Sequence, residues 1–264
     1  MKNIGVILAG GSGRRLGSEL PKQFIVIAGK TVLAHTLHTF EKHERIDEII
    51  IVVHKDYIKE AEEIVRLEGF QKVKHIVPGG KERYASTLAA LNVYKEEKCN
   101  LIIHDAVRLL VTPQIIEDVI EALENHKACT TAIPSTDTIL QSDTSRQFVN
   151  NIPDRSTLFQ VQTPQGFHSD ILTKAYNKAL TDPEFSSTDD CGVIKRYMPE
   201  IPIKITKGLP FNIKLTYKED ISIVKVTFVL AKIRTCVKQR NEKNSIINLD
   251  IPTIPLLAGT KTKC

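Results

Sequence analysis

An apolar run, Ile4-Gly5-Val6-Ile7-Leu8-Ala9, passes without a break into Gly10-Gly11-Ser12-Gly13-Arg14-Arg15. The run reads as a buried strand. A strand that ends in a glycine-rich loop brings bare backbone N–H groups against phosphate oxygens. Arg14, Arg15 and, just downstream, Lys22 of Pro21-Lys22-Gln23-Phe24 add mobile positive charge. Such a loop suits a nucleoside triphosphate better than a dinucleotide. It is not a P-loop, because no Gly-x-x-x-x-Gly-Lys-Ser/Thr is present. Gly11-Ser12-Gly13-Arg14-Arg15-Leu16 ends in leucine and so fails the dinucleotide fingerprint at its third glycine.

Short apolar runs then alternate with helical patterns, which predicts an α/β fold: a Rossmann-like, mostly parallel sheet flanked by helices. Strands are expected at 3–9, 48–53, 73–77, 100–104, 129–133 and 202–206. Helices are expected at 31–41, 56–67, 83–96, 113–125, 169–180, 189–197 and 217–235. Ile49 to Val53 has no polar alternation, as a strand covered on both faces requires. Thr112-Pro113 reads as an N-cap followed by proline at the first helical position. Residues 134–166 break the rhythm with Pro134, Pro153 and Pro164, and are read as a protruding arm that leaves the sheet and returns. The expected domain is 1–236; residues 237–264 are expected to form a poorly ordered tail.

Composition bounds the rest. The chain has 264 residues and a formal net charge of +5. The small, dispersed excess fits anionic small molecules and gives no indication of nucleic acid. No stretch reaches the roughly 18 apolar residues of a membrane span. The N-terminus is itself the first strand, so no signal peptide is expected. The five cysteines lack a Cys-x-x-Cys pair. They read as free thiols of a cytoplasmic protein.

Four further clusters carry chemistry. In Gly79-Gly80-Lys81-Glu82-Arg83-Tyr84-Ala85-Ser86 the glycines allow close backbone approach, and Ser86 can cap a helix or bond a base edge. In His104-Asp105-Ala106-Val107-Arg108 the aspartate stands at the carboxyl end of a strand, where open α/β sheets bind ligands. One such carboxylate suffices for Mg²⁺, which takes one or two carboxylates plus substrate phosphates. His104 is read as packing or orienting the loop. In the arm, Thr138, Arg155 and Thr163 offer two hydroxyls and a guanidinium fork for phosphate. Lys214, in Phe211-Asn212-Ile213-Lys214-Leu215-Thr216, is a point charge.

Taken together, Leu-Ala-Gly-Gly-Ser-Gly-Arg-Arg-Leu, Pro-Lys-Gln-Phe, Gly-Gly-Lys-Glu-Arg, His-Asp-Ala-Val-Arg, Gln-Thr-Pro-Gln, Ser-Thr-Asp-Asp and Asn-Ile-Lys-Leu-Thr follow in that order. The set resembles the cytidylyltransferases that activate polyol phosphates. These are the methylerythritol-phosphate enzymes of isoprenoid synthesis and the ribitol-5-phosphate enzymes of wall and capsule synthesis. The resemblance spans residues 3 to about 230. It implies CTP bound by Leu8, Ala9, Gly10, Gly11, Gly80, Lys81, Glu82, Arg83 and Ser86, with Asp105 beside the ribose and Mg²⁺. It implies that Arg15 and Lys22 stabilise charge on the triphosphate. Arg155 and Lys214 would grip the polyol phosphate in a pocket framed by Thr138 and Thr163. A homodimer through the arm is implied as well.

Val107 and Ile152-Pro153-Asp154-Arg155 look more like the ribitol branch, so ribitol 5-phosphate is the first expected substrate and 2-C-methyl-D-erythritol 4-phosphate the alternative. Leu109 departs from the pattern, which carries proline there, and is expected to loosen the loop bearing Asp105. That departure keeps a non-catalytic nucleotide-binding homologue as the alternative of another class. Intact Arg15, Lys22, Asp105, Arg155 and Lys214 argue against it.

Overall fold

In the computed structural model, the described residues are 1–11 and 20–230. The elements are β1 (Lys2–Ala9), β2 (Val26–Ile27), β3 (Lys30–Thr31), α1 (Val32–Lys42), β4 (Glu48–Val53), α2 (Ile58–Glu68), β5 (Val73–Pro78), α3 (Arg83–Val93) and β6 (Cys99–Asp105). They continue as α4 (Pro113–Asn125), β7 (Ala128–Pro134), β8 (Gln141–Ser142), β9 (Val149–Asn151), β10 (Phe159–His168), α5 (Ser169–Ala179), α6 (Asp190–Tyr197) and β11 (Ile203–Lys207). Residues 218–230 are helical. The expected tail at 237–264 and the end of the helix expected at 217–235 lie outside the described residues.

Seven strands form one sheet in the order β11-β7-β10-β6-β1-β4-β5. All neighbours are parallel except around β10, which runs antiparallel to both β6 and β7. The two-residue period of each strand divides the core. Ile4, Val6, Ile50, Val52, Leu101 and Ile103 face one way, with Leu172, Ala175 and Tyr176 of α5. Ile7, Ile49, Ile51, Val53 and Ile102 face the other, with Leu33, Leu37 and Phe40 of α1 and Ile116 and Val119 of α4. Gly5 is required here, because a Cβ on it would stand 2.8 Å from the Phe40 ring. Thr112 caps α4 as expected, its hydroxyl accepting from Ile115 N–H at 3.2 Å.

The excursion expected at 134–166 is shorter than that range. Residues 159–168 return as β10, a central strand of the sheet. Its polar alternation, Phe-Gln-Val-Gln-Thr-Pro-Gln, hides it in the sequence. Pro164 has no N–H for the ladder. The register with β7 accordingly shifts between Val161 and Gln165. Between Pro134 and Phe159 the arm carries the β8–β9 hairpin and leaves Leu140, Phe148, Val149 and Ile152 exposed.

A third, smaller core joins Ile27, Val32, Leu109, Leu110, Leu215 and Val224. Leu109 is buried in it. The residue expected to loosen its loop is instead packed against the segments that carry the cleft.

Candidate active site

A cleft of about 460 Å³ opens at the carboxyl ends of β1 and β6. Ligand sites of open α/β sheets fall at this edge, where loops diverge. Leu8, Ala9, Gly10 and Gly11 form one wall; Gly80, Lys81, Glu82, Arg83 and Ser86 form another. Lys22, Asp105 and Lys214 complete it, together with Gln23, Val107 and Leu215. Arg15 lies outside the described residues.

The two glycine loops meet over Ser86. A Cβ on Gly79 would stand 2.7 Å from Ser86 Oγ, and one on Gly10 would stand 3.5 Å from it. Only backbone this bare lets the hydroxyl sit between the loops. α3 begins at Arg83 with no side-chain cap on its first turn. Its leading N–H groups therefore remain available to an anion.

Asp105 is the buried acid of the cleft, Glu82 the exposed one. Its Oδ2 lies 2.9 Å from Lys214 Nζ and 3.8 Å from Arg108 Nε. Burial pushes the carboxyl up, but Lys214, Arg83 and Arg108 outweigh it and hold the group below the usual carboxylate range. Asp105 is thus ionised at neutral pH. Among the described residues no group of three or more His, Cys, Asp or Glu could hold a metal. Asp105 and Glu82 are the hard oxygen donors that line the cleft.

Three contacts fix this loop from beneath. Asp105 N–H donates to Thr163 Oγ1 at 3.1 Å. The Arg108 carbonyl can only accept, so His104 Nε2–H donates to it at 3.2 Å. His104 Nδ1 then accepts from the Thr163 hydroxyl at 3.0 Å. Burial lowers the His104 pKa to about 4, which keeps the ring neutral as this chain of donors requires.

The expected residues do not all converge. Thr163 lies behind Asp105 and not in the cleft lining. Thr138 and Arg155 sit on the exposed arm, outside the lining, and Arg155 Nη1 donates to the Thr136 carbonyl at 3.0 Å. The cause is topological: the chain leaves the sheet after Pro134, so the arm does not turn back over its own cleft.

Two further anchors hold the cleft together. Gln23 Nε2 donates to the Ala9 carbonyl at 2.6 Å, tying the Pro21–Phe24 turn to the end of β1. The Val107 carbonyl accepts from Leu215 N–H at 2.9 Å, aligning the Lys214 segment with the Asp105 loop. Gln23 lay in a motif already singled out; Val107 and Leu215 act through backbone, which leaves no side-chain signal. Lys22 is buried, and its Nζ donates to the Thr216 carbonyl at 2.7 Å.

A sequence profile of the family described as IspD, 2-C-methyl-D-erythritol 4-phosphate cytidylyltransferase, matches residues 4–231. A curated relative in Haemophilus influenzae, the bifunctional ribulose 5-phosphate reductase/CDP-ribitol pyrophosphorylase Bcs1, is 44% identical over 86% of this chain. The match spans 48% of that relative, about half its length. The 2-C-methyl-D-erythritol 4-phosphate cytidylyltransferase of Thermobifida fusca is 38% identical over 88% of this chain and 94% of its own. Among solved structures, the 4-diphosphocytidyl-2C-methyl-D-erythritol synthase of Anaerococcus prevotii superposes with a TM-score of 0.76 at 30% identity, covering 86% of this chain and 95% of that one.

Proposed function

Because this chain belongs to the 2-C-methyl-D-erythritol 4-phosphate cytidylyltransferase family, and so to the CTP-dependent nucleotidyltransferases, we propose that it converts methylerythritol 4-phosphate and CTP to the CDP-alcohol and pyrophosphate. The observation that carries this reading is the cleft itself, in which two bare-backbone loops face Lys22, Arg83, Asp105 and Lys214. The substrate assignment is supported by the family profile and by the names of most of the similar relatives. These back methylerythritol 4-phosphate better than the ribitol 5-phosphate expected first. Ribitol 5-phosphate stays as the second reading on the strength of the 44% identical relative.

The nucleotide lies along Leu8–Gly11 and Gly80–Ser86, with Ser86 at the base. A phosphate oxygen of the polyol substrate attacks the α-phosphorus, and the bond from that phosphorus to the bridging oxygen breaks to release pyrophosphate. The attacking oxygen is already anionic, so no strong base is needed; positioning and charge neutralisation suffice. Lys22 and Lys214 supply positive charge at the cleft, and Arg15 is assigned the same task. Asp105 fits as the protein ligand of Mg²⁺, which when bound would neutralise charge on the triphosphate oxygens. Arg155 and Thr138 stand off their own cleft, so their contact with the polyol phosphate requires the cleft of a second copy, in a homodimer joined through the arms. We place the reaction in the cytoplasm, supported by the buried free thiols of Cys99, Cys129 and Cys191.

The test is pyrophosphate release from CTP and Mg²⁺ with methylerythritol 4-phosphate and ribitol 5-phosphate in parallel. Release with the former alone is expected. Release with ribitol 5-phosphate alone replaces the substrate assignment with the second reading, and silence with both removes the proposed reaction.

A further inference from the structure

Asp190 reaches none of the cleft, yet we propose that it is a positioning residue of the nucleotide site, acting through Arg83. This inference rests on the reading of the cleft as a CTP site. Asp190 opens α6 and is fully buried. Its Oδ2 accepts from Arg83 Nη1 at 2.5 Å, and its Oδ1 accepts from the Tyr176 hydroxyl at 2.6 Å. Both carboxylate oxygens are therefore engaged, one by the site and one by the core of α5.

A buried ion pair is poor evidence for stability alone, since desolvation offsets the attraction. The geometry gives this one another task. Arg83 lines the cleft, and among the described residues its Nε and Nη2 have no acceptor. One edge of the guanidinium is thus fixed from behind while donors remain for a ligand in front. Arg83 also feels Asp105 across the cleft, so acids flank it on two sides. Without Asp190 the guanidinium would be free to swing toward Asp105 and compete with Lys214 for it. Tyr176, packed between α5 and the sheet, sets the rotation of the carboxylate and hence the aim of Arg83.

The experiment is calorimetric titration of CTP with Mg²⁺ into wild type, Asp190→Asn, Arg83→Gln and the double variant, with steady-state KM values for both substrates. Asp190→Asn should weaken CTP binding about tenfold and leave KM for the polyol phosphate unchanged. In the Arg83→Gln background, Asp190→Asn should cost nothing further, because the residue it acts through is gone. Unchanged CTP affinity in Asp190→Asn, or losses that simply multiply in the double variant, would overturn the proposal. Failure of wild type to bind CTP would instead sink the reading of the site. Should Asp190→Asn not fold, as judged by circular dichroism, Tyr176→Phe takes its place. A two- to fivefold loss of CTP affinity with unchanged polyol phosphate KM is expected there, and wild-type affinity overturns the proposal.

Discussion

At the scale of single residues, the cleft is a balance between one buried carboxylate and the cations around it. Asp105 is held ionised by Lys214, Arg83 and Arg108 against the cost of its burial. Asp105→Asn removes that charge with little change of shape and releases Lys214. A loss of about 10²-fold in kcat/KM is expected, the size typical of a lost electrostatic contact at a reacting centre. Pyrophosphate release measures it, and near wild-type turnover would exclude Asp105 from the reaction. His104, one residue away, makes a separate prediction for stability. Its folded pKa of about 4 lies below the ordinary histidine value near 6.5, so the unfolded chain binds more protons between these limits. The stability associated with neutral His104 is therefore complete above pH 6.5 and is lost as the pH falls toward 4. Roughly 2 kcal/mol should go between pH 7 and pH 5. Urea unfolding at the two pH values should show that loss in wild type and a flatter response in His104→Asn. Parallel responses would remove His104 as its source.

At the scale of elements, the arm is the part whose sequence and surroundings disagree. Phe148, Val149 and Ile152 are 70%, 58% and 59% exposed in a single chain. An isolated two-stranded hairpin of this size is marginal in water, so it needs a surface to cover it. In the proposed homodimer that surface is the second arm or body. Burying one large apolar side chain stabilises by roughly 1.5–3 kcal/mol, so losing two in Phe148→Ser with Ile152→Ser should weaken association about a hundredfold or more. Sedimentation should show monomers at concentrations where wild type forms the proposed dimer; an unaltered dimer would place the interface elsewhere, and a monomeric wild type would remove the proposed homodimer. The arm also shows how a strand escapes detection. β7 was legible at 129–133 because Cys-Thr-Thr-Ala-Ile is short, β-branched and free of charged or amide side chains, whereas β10, though buried from Gln162 to Phe167, carries three glutamines and Pro164. Gln165 is buried because its amide donates to Thr130 Oγ1 and Asp189 Oδ2, partners that a linear reading does not reveal.

At the scale of the whole molecule, the site is assembled by contacts between distant parts of the chain. Lys22 and Thr216, which meet at 2.7 Å, are 194 residues apart. The small core around Leu109, Leu215 and Val224 brings those segments together. The sequence by itself determined the strands of the parallel half of the sheet, the two glycine-rich loops and most of the cleft lining. Those features depend on local pattern: apolar period, bare backbone and charge at a strand end. Only the tertiary structure decided that β10 runs through the sheet, that Arg155 and Thr138 stand away from their own cleft, and that Asp190 holds Arg83. Each of these depends on which buried partner satisfies a polar group or which surface covers an apolar one, and that is settled by packing across the fold.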